Sequence, residues 1–251
     1  STAEMAAFKA FLDTIHLPPN PYRALDNTRP SSVTLPDGSV VRSATMNSLR
    51  GQNTRGNNCL KCHLGGGTRN RASNLELGQA FVAPALSLFY KKLGFWPQSA
   101  AGSTSGTGFF HDGVDSVLRA ARVNTAETQA DMLAEIMTLE GPDGPLVGAE
   151  RRQDSHAGVG RQLTLRGPAA AADTALLNQL IGIAVASPHA SLVAHTRLAG
   201  VARAFYLADA TTFQSDRAGE KRTVAQLVAH AATDDPVTFT LVAQGTALRL
   251  S

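Results

Sequence analysis

The sequence predicts a mainly α domain over residues 1–160 followed by a small α+β region over residues 161–251, and three observations carry this reading. Apolar residues recur at helical spacing in residues 3–15 and 126–139, both in the first part of the chain. A cysteine-rich pentapeptide at 59–63 lies between them in loop-like sequence. The second part instead carries the strand-like runs Val201 to Leu207 and Val237 to Val242, with a helical segment from Thr223 to Ala232 between them.

Taken in order, Met5, Phe8, Phe11, Leu12 and Ile15 form the apolar stripe of an opening helix, which Pro18-Pro19 stops. Residues 17–56 read as irregular chain with at most a short hairpin around Asp37-Gly38. From Ala80 to Leu93 the apolar residues surround Pro84, whose missing N–H disfavours one long helix and favours extended chain followed by a short helix. Residues 99–108 form a Gly/Ser/Thr loop that leads into Phe109-Phe110-His111-Asp112-Gly113, the wall of a pocket. Thr125 caps a helix over Ala126 to Leu139, whose stripe includes Met132, Leu133, Ile136 and Met137, and Gly141-Pro142 follows it. Asp173 caps the next helix, which runs to Ala186 and stops at Ser187-Pro188.

At 251 residues and 43% hydrophobic content the chain can bury a substantial core. Its formal net charge of +3 comes from scattered arginines such as Arg69, Arg151 and Arg217, which argues against nucleic-acid binding but suits docking to an acidic redox partner. Even the most apolar run, Leu176 to Ala186, is interrupted by Asn178 and Gln179, so no membrane span is expected. The opening Ser1-Thr2-Ala3-Glu4 carries no signal-peptide pattern.

Both cysteines of the chain lie in Cys59-Leu60-Lys61-Cys62-His63. This C-x-x-C-H spacing is that of covalent haem attachment: two thiols reach the vinyl groups on one porphyrin edge, and the adjoining imidazole turns underneath to ligate iron. A zinc site would need a second pair of soft ligands, and the chain has no further cysteine to supply it. A thioredoxin-like motif belongs at a strand-to-helix junction, whereas this one lies between polar Asn53 to Asn58 and Gly65-Gly66-Gly67. The expected cofactor is therefore one haem c, bound by Cys59 and Cys62, with His63 as proximal ligand. Attachment of this kind takes place outside the cytoplasm, so a periplasmic or secreted setting follows, with a leader removed or lying upstream.

With these motifs placed, residues 55–140 resemble the c-type cytochrome domains of the dihaem cytochrome c peroxidase and MauG-like superfamily, as found in larger secreted bacterial proteins. The resemblance rests on C-L-K-C-H at 59–63, F-V-A-P-A-L at 81–86 and F-F-H-D-G at 109–113. It implies a mainly α cytochrome c-like haem domain in which Pro84, Phe110 and His111 lie beside the porphyrin. Ser87 stands where relatives place an arginine, and one C-x-x-C-H stands where peroxidases of this family carry two. The Pro-Pro-Asn-Pro run at 18–21 looks like a linker in such proteins, which makes the opening helix the tail of a preceding module.

The sixth iron position decides the function. Met137 and Met132 offer a thioether that would raise the potential and suit electron transfer, although methionine on a helix stripe also serves as core filling. His111 is the rival, as ligand or as pocket lining, and Met46 lies upstream in irregular chain. His16, His156, His189, His195 and His230 read as surface or hydrogen-bonded histidines. One haem gives no internal electron store, so the reading is a monohaem c-type cytochrome transferring single electrons to a redox protein or a further domain of a larger chain, with no catalytic residues. The alternative is a haem enzyme of peroxidase type with an open or displaceable sixth site and His111 with Asp112 as acid and base.

Overall fold

A computed structural model describes residues 1–12, 14, 15, 17–35, 38, 40–42, 69–74, 80–83, 131, 134, 137, 138 and 155–250. The chain forms two compact units that interleave in sequence. One comprises Ser1–Pro19, Leu25–Asn27 and Arg152–Ser251; the other comprises Asn20–Ala24 and Thr28–Arg151.

The first unit contains α1 (Thr2–Leu12), then β5 (Gln162–Leu165), α2 (Ala171–Ala186), β6 (Ala190–Leu198), β7 (Val201–Leu207), β8 (Thr212–Ser215), β9 (Lys221–Thr223), α3 (Val224–Thr233), β10 (Val237–Ala243) and the short α4 (Ala247–Leu250). Its strands make one six-stranded sheet in the order β5-β10-β6-β7-β8-β9, antiparallel at every junction. Alternation along the strands explains why one face is covered. In β10 the odd positions Val237, Phe239 and Leu241 are fully buried, and their register partners Leu165, Leu163, Ala194 and Leu192 point the same way. Against that face α2 packs Leu177, Leu180 and Ile183, spaced three residues apart, and α3 packs Leu227 and Ala231.

The helix ends show how local sequence sets these elements. Thr223 accepts from the Gln226 backbone N–H at 3.1 Å while the Gln226 side chain accepts from the Thr223 N–H at 2.8 Å, a reciprocal cap for α3. At α2 the N-cap is Ala170, not Asp173. Asp173 sits one turn into the helix and its carboxylate reaches back to the Ala170 N–H at 3.3 Å. Between β6 and β7 the chain reverses through Ala199 and Gly200, with φ of +50° and +77°, the left-handed pair that a two-residue hairpin requires.

In the second unit, β1 (Ser32–Thr34) and β2 (Val40–Arg42) form the short hairpin expected around Asp37-Gly38, with Gly38 at φ +84° and its N–H bonded to the Leu35 carbonyl. Strands β3 (Arg69–Asn74) and β4 (Ala80–Ala83) pair antiparallel, so the chain before Pro84 is extended as its sequence suggests. Asp131, Ala134 and Met137 have helical backbone, in keeping with the helix read over 126–139.

The expectation of a mainly α cytochrome c-like fold is overturned. Among the described residues the architecture is mostly β, built on the six-stranded antiparallel sheet with a few short helices. The physical reason lies in the strands. β5 and β8 are only four residues long, and Leu163, Leu165 and Phe213 are buried only because neighbouring strands and the helices on one face supply the cover.

Candidate functional site

The residues that carry the expected chemistry fall mainly outside the described residues. Cys59, Cys62 and His63, together with Pro84, Phe110, His111 and Asp112, lie there, as do Met46 and Met132. Met137 is the one candidate ligand that the structure describes.

Met137 is fully buried, in a cluster with Val33, Leu35, Val41 and Ala134, and Tyr22 packs against that cluster. Its place on the helix is fixed from outside the helix. The Asn20 side-chain amide, itself 4% exposed, donates to the Met137 carbonyl at 2.7 Å, and the Arg23 guanidinium donates to the next carbonyl, of Thr138, at 2.8 Å. Both acceptors belong to the last helical turn, where carbonyls lack partners within the helix. Thr138 closes the turn by bonding its hydroxyl back to the Ala134 carbonyl at 3.0 Å. Asn20 is held in turn, because its Oδ1 accepts from the Tyr22 N–H at 2.9 Å across Pro21.

Asn20 and Arg23 are positioning residues that the sequence reading passed over. The available signal was the asparagine within Pro18-Pro19-Asn20-Pro21, a residue whose side chain readily caps turns between prolines. Chemically, the arrangement holds a soft thioether in an apolar setting on a backbone tied at two successive carbonyls. That setting fits dense packing.

Three histidines of the first unit, His156, His195 and His230, are engaged with the protein. Nε2 of His195 lies 2.8 Å from the Leu250 carbonyl, and His230 sits between the Arg197 carbonyl at 2.7 Å and the Asp234 carboxylate at 3.2 Å. Buried His156 accepts the Gly158 N–H on Nδ1 at 3.0 Å. These contacts accord with the reading of the three as hydrogen-bonded side chains. Among the described residues no group of three or more His, Cys, Asp or Glu could hold a metal ion. No helix among them is long and apolar enough to cross a membrane, in line with the expectation of no membrane span.

One polar cluster has a displaced titration. Ser215, 3% exposed, donates its hydroxyl to Glu220 at 2.7 Å, and the Arg203 guanidinium lies 3.5 Å from the other carboxylate oxygen. This hydrogen bond, followed by the charges of Arg203, Arg217 and Arg222, holds the Glu220 carboxyl below its ordinary range. The cluster ties the β8–β9 loop. Compared with protein families, curated proteins and solved structures, the chain finds no match.

Proposed function

We propose that this chain is a monohaem c-type cytochrome that transfers single electrons. One observation carries the reading: C-x-x-C-H at 59–63 uses every cysteine in the chain and ends in an imidazole. The donor set fits the group, since two thiols supply the thioethers and His63 the proximal nitrogen. When bound, the haem supplies reversible one-electron exchange at iron. His63 holds the iron from one side, and Met137 or His111 is the group offered to the other. The resemblance at 59–63, 81–86 and 109–113 supports haem attachment, and it no longer supports a mainly α fold.

The same chemistry supports a periplasmic or secreted location, and the net charge of +3 suits an acidic redox protein, or a further domain of a larger chain, as partner. The direct test is to express the chain with an export leader in a host that matures c-type cytochromes, then separate it under denaturing conditions and stain for haem. Haem that migrates with the chain, and is lost in Cys59→Ala/Cys62→Ala, supports the proposal. A colourless mature chain, or thiols that bind zinc instead, overturns it. Rapid carbon monoxide binding by the reduced protein would replace electron transfer by the peroxidase-type reading, in which His111 and Asp112 act as acid and base.

A further inference from the structure

The six-stranded sheet has a second face, opposite the one that α2 and α3 cover, and alternation along the strands assigns its residues. Phe239, Ala194 and Phe205 point to the covered face, so their neighbours Thr238, His195 and Ala204 point the other way, in one register row with Thr164. Two residues along, Arg197 pairs with Ala202, and on the far edge Lys221 pairs with Gln214. α4 lies over part of this face, where Ala247 packs with Val193, Val242 and Tyr206, and the Leu250 carbonyl meets Nε2 of His195 at 2.8 Å. Beyond α4, Thr164, His195, Arg197, Ala202 and Lys221 are exposed.

The charge of this open face has one sign. Arg197 and Lys221 stand on it and Arg249 is exposed on α4 beside it, whereas none of its strand positions holds Asp or Glu. The carboxylates of residues 155–250 lie elsewhere: Asp173 in α2, Asp209, Asp216 and Glu220 in the turns flanking β8, and Asp234 and Asp235 between α3 and β10. Among the described residues none of the three cations enters an ion pair, while Arg203, on the opposite face, meets Glu220.

We propose that this open face docks an acidic protein surface, whose carboxylates meet Arg197, Lys221 and Arg249. The Thr164 and Thr238 hydroxyls lie 2.9 Å apart, so one donates to the other and the second donates outward, to an acceptor on the partner. Nucleic acid fits less well, because single strands stack on aromatic rings and Tyr206, the aromatic residue on these strand positions, is packed against α4. Six strands at a spacing of about 4.8 Å make the face about 24 Å wide. Such a face, partly occupied by α4, offers roughly 500 Å2 to a partner, the scale of a weak and transient encounter. The proposal shares with the cytochrome reading only the expectation of an acidic partner.

Titration of the full chain with poly-L-glutamate, at low and at physiological salt, tests the proposal. The expected result is saturable binding that weakens as salt rises. Arg197→Glu and Lys221→Glu should each weaken it about fivefold, and Thr238→Lys should strengthen it, all with unchanged circular dichroism. Arg161→Glu makes the same change of charge at the residue before Gln162, off this face, and should alter affinity by less than about twofold. No binding at low salt overturns the proposal. Equal losses in Arg161→Glu and Arg197→Glu overturn the face, since net charge alone would then account for binding. Binding to dextran sulfate but not to polyglutamate overturns the protein partner in favour of an acidic saccharide. Polyglutamate binding is read without reference to haem, so its failure is distinct from a failure of haem staining.

Discussion

The rings of Phe213 in β8 and Phe239 in β10 meet at a centroid distance of 5.8 Å, inclined by 60°, although β6 and β7 lie between their strands. Ala194 makes this approach understandable. It is the register partner of both Phe239 and Phe205, and it contributes only a methyl group to the covered face. The two phenyl groups, both fully buried, join strands that share no backbone hydrogen bond in the sheet.

Replacing either ring by leucine should therefore cost more than its lost volume. Phe239→Leu and Phe213→Leu are expected to show a coupling of about 0.5–1.5 kcal/mol in a double-mutant cycle read by urea unfolding. Strictly additive losses would show that the two rings contribute only through burial.

Gly158 is held in a confined turn. A Cβ there would lie 2.9 Å from Leu241 Cδ1 and 3.0 Å from the Leu25 carbonyl oxygen, and the second of these belongs to backbone. The turn is tied as well, since Ala157 N–H bonds Asn27 Oδ1 at 3.2 Å and Gly160 N–H bonds the Leu241 carbonyl at 2.8 Å. Gly158→Ala should destabilise the unit by about 1–3 kcal/mol, seen as a lower urea midpoint at unchanged slope. An unchanged midpoint would mean that the turn relaxes freely.

Acid should weaken the β8–β9 corner through Glu220. Because its folded carboxyl titrates below the ordinary range, its contribution is present above the unfolded value near pH 4.5 and is lost as pH falls through the folded value. Glu220→Gln is expected to cost about 1 kcal/mol at neutral pH and to match the parent chain in acid below that range. A difference that persists unchanged in acid would assign the cost to packing and not to charge.

Met137 separates packing from ligation. Met137→Ala should cost about 2–5 kcal/mol through the cavity it leaves among Val33, Leu35 and Val41, while Met137→Leu should cost less than about 1.5 kcal/mol. With haem attached, loss of a thioether charge-transfer band in Met137→Leu would make Met137 the sixth ligand. An unchanged ferric spectrum would remove Met137 from that role.

Elements with strong local signals could be read from the sequence. The apolar stripe of α1, the helix α3 beginning at Thr223 and the long strands β7 and β10 lie close to where their residues suggest. The strands β5 and β9 escaped because Gln162–Leu165 and Lys221–Thr223 acquire meaning only beside β10 and β8, which are distant or separated by a loop. The α-rich expectation grew from the helical stripes at 3–15 and 126–139 and from the company that C-x-x-C-H usually keeps, and none of these reports on residues 155–250. For the candidate site, the motif could be read from spacing, whereas the clamp of Asn20 and Arg23 on carbonyls 137 and 138 could not. It spans 117 and 115 residues and depends on backbone atoms that carry no sequence identity.

The strand next to the β5 edge, β10, is nearly the last element of its unit, yet it joins β5 to β6. Until a ribosome has released residues 237–243, the β5 edge and the β6 edge have no partner, and Phe205 and Phe213 lack Phe239 against which to close. The sheet of this unit can therefore close only after these residues have emerged. A chain interrupted before Val237 would present two bare strand edges and an open apolar surface, a species suited to capture by holding chaperones or to aggregation.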